Sequence, residues 1–334
     1  MTFAGTNFDT LTGRDPAGRP ASWLVRVLEP EPAGDSALVT HRVKTHDGTT
    51  LLRRSLPLTG NPLDASIAEM LLDNEIRALV RLHARYPRPV PELPRIVGYD
   101  FDSSTPFVLL EPHVGKCLDG SPRTLLIDER RRFMVGVFRA LAHLAAVDLV
   151  HGSVGLASLC WDGATAQLVN LEHAVNPGEP TRSGLSRNGS VAHTGDDVRA
   201  AGRMVYELVT GKRVELGAVP DLTAQPEQLA TLLRGVFAAR PADRPTALEV
   251  LERLNDRDPL LPPTDTTALM RAGYDRFDTL RPVKATGPRQ QQPPPSPPVR
   301  RFAPRPERKP VPLLPLALLV FLAVAVVVAL VVTR

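Results

Sequence analysis

The sequence is poor in cysteine and in aromatic residues. It contains two cysteines, Cys117 and Cys160, and aromatic residues make up 5% of its 334 residues. Two cysteines are too few for the disulfide framework of a small secreted domain, and their spacing is not the C-x-x-C of a zinc or redox motif. These absences predict a protein with an ordinary apolar core in a reducing compartment.

A secretory signal and a broadly basic surface are also lacking. The first residues, MTFAGTNFDTLTG, show no basic segment followed by an apolar stretch. The net charge is +4, but residues 281–310 alone hold eight Lys or Arg against one Glu. Without this basic stalk and Arg334, the rest of the chain carries about −4. The distribution predicts contact with anionic lipid headgroups and no nucleic-acid partner.

One long apolar run is present at 311–332, with 22 uncharged residues dominated by Leu, Val and Ala. About 20 apolar residues, rising about 1.5 Å each, span a hydrocarbon core of about 30 Å. Eight Lys or Arg precede the run and one follows it. The positive-inside rule then keeps the preceding chain in the cytoplasm. We expect a single-pass, C-terminal anchor in the plasma membrane with the N-terminal domain on the cytoplasmic face.

The remaining chain divides by composition. Residues 1–21 are polar and predicted to be flexible, and 22–255 hold the periodic patterns of a folded domain. Residues 256–310 are rich in proline, which removes backbone donors and fixes φ, so an extended linker is expected there.

Periodicity predicts strands first and helices later. Strands are expected at 22–30, 36–45 and 50–58, and residues 64–85 change to a helical period. Strand character returns in PRIVGYDFD and PFVLLEPHVG, and helical patterns dominate from about residue 123 onward.

Several motifs, taken in order, resemble the bacterial Ser/Thr protein-kinase family. DGTTLLRRSLPL resembles the strand of the nucleotide-binding lysine, NEIRALVRL the helix of its glutamate partner, and FVLLEPHVG the hinge. LVHGSVGLASLCWD and QLVNLEHAV stand where H-R-D and D-F-G belong, while GDDVRAAGRMVYELVTGKRV and AARPADRPTALEVLERL resemble later motifs. The H-G and N-L-E sequences are similar to an atypical subgroup with H-G-D and D-F-E. Over about 22–254 the resemblance implies an α+β, two-lobed protein-kinase-like fold, with a β-rich N-terminal lobe and a helical C-terminal lobe.

Under this resemblance, the polar groups of phosphoryl transfer are replaced. Arg54 stands in place of the lysine, with Arg53 as the other candidate, and Ser153 replaces the catalytic aspartate. Ser158 replaces the metal-binding asparagine and Asn170 the metal-binding aspartate. A hydroxyl is no base near neutral pH without an activator, and a neutral amide is a weak ligand for a hard dication. The resemblance therefore implies a pseudokinase with no intact catalytic residue and no metal site.

The glycine-rich phosphate loop is missing as well. VRVLEPEPAGDSALV contains only Gly34, beside the acidic residues Glu29, Glu31 and Asp35, which would repel phosphates. ATP stays open as a ligand, and Mg²⁺ is not expected. The nucleotide-binding candidates that the resemblance implies are Arg54, Glu75, Leu110 (the gatekeeper position) and Glu111.

Positions that support the fold of this family are retained: His151, Asp197, Gly202 and Arg244. The resemblance implies that His151 packs in the core and that Asp197 accepts backbone hydrogen bonds. It leaves Arg244 without its usual glutamate partner. Glu75 either forms an ion pair with Arg54 or is a solvated charge on its helix.

These features predict a membrane-tethered, catalytically inactive module that serves as an interaction, scaffold or regulatory domain for protein partners at the cytoplasmic face. The alternative is an active atypical Ser/Thr kinase that binds ATP with its metal ligands moved to Glu172 or Asp162.

Overall fold

The structure, a computed structural model, describes residues 8–31, 36–58, 61–118, 125–180, 191–215, 217–268, 271 and 275. The chain divides into two units, Met1–Arg271 and Ala272–Arg334, and in the second unit only Asp275 is described. The predicted membrane span at 311–332 and the basic stalk at 281–310 lie outside the described residues. Among the described residues, no helix is both long enough and apolar enough to cross a membrane.

Six antiparallel strands form a closed barrel. They are β1 (Asp9–Arg14), β2 (Pro20–Glu31), β3 (Val39–Thr45), β4 (Thr50–Ser55), β5 (Ile96–Asp100) and β6 (Phe107–Leu110). Their order around the barrel is β1-β2-β3-β4-β6-β5. The strands predicted at 22–30, 36–45 and 50–58 are confirmed as β2, β3 and β4.

The predicted two-lobed protein-kinase-like fold is wrong: the structure has this closed barrel and few helices. The structure first departs from the predicted fold within residues 1–21, the stretch predicted to be flexible. There β1 pairs along its whole length with β2. β1 also meets β5 through Arg14 and Tyr99, which closes the barrel. Glycine permits this closure, because a Cβ on Gly13 would lie 2.3 Å from the carbonyl oxygen of Tyr99.

Helix α1 (Pro62–Arg85) connects β4 to β5 and confirms the helical period predicted at 64–85. Asn61 caps its first turn by accepting the N–H of Leu63, and its buried face includes Leu72, Glu75 and Leu79. The later elements are the helices α2 (Ile127–Ala145), α3 (Thr194–Thr210), α4 (Glu227–Leu232) and α5 (Ala247–Arg253), and the short strands β7 (Lys116–Cys117), β8 (Leu159–Trp161) and β9 (Ala166–Leu168).

Cys117 and Cys160 form a disulfide, which their number and spacing did not predict. The antiparallel pairing of β7 with β8 places the two residues directly opposite each other. Cys160 is fully buried. The bond therefore fixes the chain that follows β6 to the sheet β7-β8-β9.

The start of the predicted linker packs against the folded body. Arg139 of α2 donates to the Asp256 carboxylate at 3.0 Å and to the carbonyl oxygen of Asp258 at 3.1 Å. Further along, the N–H of Thr264 donates to the carbonyl oxygen of Arg85 at 2.7 Å. These bonds hold the proline-containing chain from residue 256 to about residue 264 on the surface of the first unit.

Candidate functional site

A buried ion-pair cluster surrounds Arg54 on β4. The side chain of Arg54 is fully buried, and its two terminal nitrogens meet two carboxylates. Nη1 donates to Glu75 Oε1 of α1 at 2.5 Å, and Nη2 donates to Glu172 Oε2 at 2.5 Å. Both carboxylate side chains are 1% exposed. The two acidic groups therefore share one guanidinium away from water.

Asn170 and Ser36 complete the cluster. Nη1 of Arg54 also donates to Asn170 Oδ1 at 3.0 Å, and Nη2 donates to the Ser36 hydroxyl at 2.5 Å. Ser36 in turn donates to the Glu172 carboxylate, whose other oxygen accepts the N–H of Ala37 at 3.1 Å. The chain just before β3 is thereby held against the cluster and covers it.

The backbone near Asn170 explains how the amide and Glu172 reach the same guanidinium. Asn170 adopts the left-handed conformation, with φ 61° and ψ 60°, which asparagine tolerates better than most residues. A single 3-10 turn, Leu171–His173, follows at once. The reversal directs two side chains that are two residues apart in sequence onto Arg54.

The cluster contains one cation and two carboxylates. Burial raises the pKa of Glu75 to about 7, because the loss of hydration outweighs the attraction of Arg54 and the negative charge of Glu172 adds to the rise. The raised pKa of Glu75 reduces the excess negative charge that two carboxylates around one guanidinium would otherwise carry.

Between the two arginine candidates on β4, only Arg54 enters the cluster. Arg53 lies on the other face of the strand, with its guanidinium carbon 5.7 Å from the centre of the Phe107 ring. Successive side chains of a strand point to opposite faces, so the two arginines occupy different environments.

Among the described contacts, the two serines that the resemblance assigned to catalytic and metal-binding positions have no hydrogen bond to the guanidinium of Arg54. Ser153 is exposed, and its N–H donates to His151 Nδ1 at 3.2 Å. Ser158 is buried, and its hydroxyl donates to the carbonyl oxygen of Gly155 at 2.9 Å while it accepts the N–H of Gly155 at 3.0 Å. Ser158 thus closes a turn of its own loop.

Asp197 and His151 stabilise the backbone at the start of the same loop. The carboxylate of Asp197 accepts the N–H of His151 at 2.6 Å and the N–H of Gly152 at 2.9 Å. Burial still raises the pKa of Asp197 to about 7 against these two hydrogen bonds. Burial lowers the pKa of His151 to about 4, so its ring is neutral and Nε2 donates to the Val169 carbonyl oxygen at 2.9 Å. Because Nδ1 accepts the N–H of Ser153, both ring nitrogens of His151 are engaged.

Arg244 and Gly202 also lie within the packed body. Arg244 donates to Asp196 Oδ1 at 2.6 Å and to the carbonyl oxygens of Gly195 and Ala238. A Cβ on Gly202 would lie 2.4 Å from Val236 Cγ1, so α3 can approach that residue only with glycine at this position. Asp196 supplies the acidic partner that the sequence left unassigned.

Leu110 and Glu111 do not join the cluster. Leu110 is buried on β6 opposite Leu52 of β4, and Glu111 forms an ion pair with Arg95 at 3.1 Å. Among the described contacts, neither residue has a hydrogen bond or ion pair to Arg54. The structure therefore brings together three of the predicted positions, Arg54, Glu75 and Asn170.

Ser36 is the member of the cluster that the sequence did not indicate. A serine in a loop of acidic residues and proline carries no signal of its own, and it lies 136 positions from the carboxylate that it contacts. The sequence indicates Glu172 only as a substitute metal ligand, whereas in the structure it pairs with Arg54. Asp162, the other substitute, accepts the N–H groups of Ala164 and Thr165 in its own turn.

The terminal N–H groups of Arg54 are engaged within the cluster. Phosphoryl transfer needs cationic groups that reach the phosphates and acidic ligands that hold the metal. Both terminal nitrogens of Arg54 already face the protein's own oxygens. Over the part of the chain that the structure describes, no group of three or more His, Cys, Asp or Glu could hold a metal ion.

No protein-family model matches this chain, and no curated protein matches it.

Proposed function

We propose that the chain is a membrane-tethered, catalytically inactive binding module, in which the positions that resemble kinase motifs stabilise the fold. One observation carries the proposal: Arg54, Glu75 and Glu172 form a sealed cluster, with side chains at most 1% exposed. A residue that neutralises buried carboxylates cannot at the same time hold the phosphates of a nucleotide.

The energetics favour the same conclusion. To bind a phosphate, Arg54 would have to leave two buried carboxylates, and breaking a buried ion pair costs about 3–5 kcal/mol. Every 1.4 kcal/mol is about a tenfold change in affinity. Nucleotide affinity is thereby lowered by a factor of about 100 to 1,000 or more relative to a site with a free cation.

We expect ATP with Mg²⁺ to leave the thermal unfolding of the full chain unchanged. A ligand present at about 100 times its Kd stabilises a protein by about 2.7 kcal/mol, which differential scanning fluorimetry detects readily. The companion measurement is transfer of labelled phosphate to the chain itself and to casein, for which no signal is expected.

The control variant is Glu172→Gln, which removes the carboxylate that the alternative hypothesis assigns to the metal. A metal-dependent rise in melting temperature together with phosphate transfer that disappears in Glu172→Gln would refute the inactive module and support an active atypical kinase. Phosphate transfer of equal rate in both proteins would indicate a contaminating kinase and leave no support for catalysis by this chain.

The tether at 311–332 is part of the proposal. It rests on the 22-residue uncharged run and on the eight Lys or Arg that precede it. After alkaline carbonate extraction of expressing cells, we expect the full chain in the membrane pellet and a chain that ends at residue 310 in the supernatant. Release of the full chain into the supernatant would overturn the tether.

A further inference from the structure

A small cavity lies between the second half of α1 and the chain that follows β6. Its volume is about 300 Å³. This volume is at the lower end of the range for ligand pockets and suits one or two side chains better than a whole cofactor. Its apolar walls come from Leu79, Leu82, Tyr86, Val90, Leu93 and Ile96.

The cavity is preformed, because the side chain of Gln167 forms hydrogen bonds to the segments that line it. Gln167 Oε1 accepts the N–H of Val114, and its Nε2 donates to the carbonyl oxygens of Pro91 at 3.3 Å and Leu93 at 3.1 Å. Four prolines also line the cavity: Pro89, Pro91, Pro94 and Pro112. Proline fixes φ, and a pocket that needs no ordering loses less affinity on binding.

The rim of the cavity is basic. His83, Arg88 and Arg95 contribute to the lining, and the acidic residue among the lining groups, Glu111, is paired with Arg95. With Glu111 paired to Arg95, Arg88 is the remaining arginine of the lining, and it is exposed. The lining therefore has one more arginine than carboxylates, which favours anionic groups at the mouth.

The cavity is separate from the Arg54 cluster, since neither Arg54 nor Glu75 nor Glu172 lines it. Its apolar interior and basic rim are complementary to a ligand that has an apolar side chain next to carboxylates. A short peptide segment of a partner protein supplies both at neighbouring positions. Charge complementarity then sets the orientation and apolar burial supplies the affinity.

We propose that this cavity binds a short acidic peptide segment that carries an aliphatic or aromatic anchor residue. The inference rests on the proposed function, because it names the class of partner for the binding module. The anchor enters between Leu82 and Ile96, and its acidic neighbours face Arg88 and Arg95.

The test is selection of random dodecapeptides displayed on phage against the full chain in detergent micelles. Enriched sequences are expected to carry several Asp or Glu beside Leu, Ile, Phe or Trp. For the best synthetic peptide, fluorescence polarisation should show a Kd at least tenfold higher with the double variant Arg88→Glu, Arg95→Glu. Pro91→Trp, which places a large ring at the exposed edge of the cavity, should have a similar effect.

The matched control is Arg77→Glu, an exposed site on the same helix that does not line the cavity. It reverses one charge, as each of the two substitutions in the double variant does, and it should alter the Kd less than twofold. Circular dichroism and melting temperature confirm that each variant is folded. Failure to enrich any peptide, enrichment without acidic residues, or equal weakening by Arg77→Glu would overturn the proposal. The nucleotide titration is independent of these outcomes, so the two proposals fail separately.

Discussion

Replacing Arg54 with methionine should lower the free energy of unfolding by about 3–5 kcal/mol. The variant leaves Glu75 and Glu172 buried without their cation, and an uncompensated buried charge is costly. Urea unfolding followed by circular dichroism measures the change. A loss below about 1 kcal/mol would show that the cluster is solvated and would remove the main support for the inactive module.

The loss of unfolding free energy caused by Arg54→Met should depend on pH. The direction of that dependence shows whether the loss comes from the buried carboxyl groups. Arg54 opposes the rise in the pKa of Glu75, which is about 7 in the folded protein, so without Arg54 that pKa rises further. A carboxyl group whose folded pKa is raised is neutral in both states at low pH. It destabilises the fold increasingly as pH rises above the unfolded value of about 4.5, and this increase ends at the folded pKa. Because the folded pKa is about 7 with Arg54 and higher without it, the cost of Arg54→Met should stay nearly constant up to about pH 7 and grow above it.

Two further variants separate the charge effect from lost packing. Arg53→Met makes the same substitution at the adjacent position of β4, where the arginine lies half-buried over Phe107. It should lower the free energy of unfolding by about 1 kcal/mol or less. Adding Glu75→Gln and Glu172→Gln to Arg54→Met removes both carboxyl groups that have lost their cation and should recover a large part of the loss. If the triple variant is no more stable than Arg54→Met alone, the cost comes from packing.

Reduction of the bond between Cys117 and Cys160 should produce the second large effect. The bond links residues 43 positions apart, and the chain-entropy model gives about 4 kcal/mol for a loop of that length. In a domain of this size, 1 kcal/mol corresponds to about 2–4 °C, so the melting temperature should fall by about 8–16 °C in dithiothreitol.

The double variant Cys117→Ser, Cys160→Ser is the control for this experiment. It should melt near the reduced protein and show no response to dithiothreitol. A wild-type melting temperature that does not change, although a thiol assay detects two free thiols, would contradict the stabilising role. Alkylation of thiols directly in expressing cells then reports whether the pair is oxidised in the compartment where the domain folds, because disulfides persist mainly in oxidising compartments.

Local pattern accounts for the parts of the fold that the sequence predicted correctly. Short apolar stretches bounded by turn residues predicted β2 and β4, and the apolar period of residues 64–85 predicted α1. Each of these depends on residues within a few positions of one another, where strand and helix periods differ plainly. The family resemblance, in contrast, implied a fold that the closed barrel contradicts.

The separation of charge was likewise a property of the sequence alone. The eight Lys or Arg at 281–310 and the uncharged run at 311–332 are read directly from the sequence. Tertiary structure decided the rest. It closed β1 onto β5 through Arg14 and Tyr99, and it paired the two cysteines across β7 and β8. It also buried Arg54 between carboxylates that are 21 and 118 positions away. Such contacts join distant segments whose own composition is unremarkable, so only the packing of the whole chain selects them.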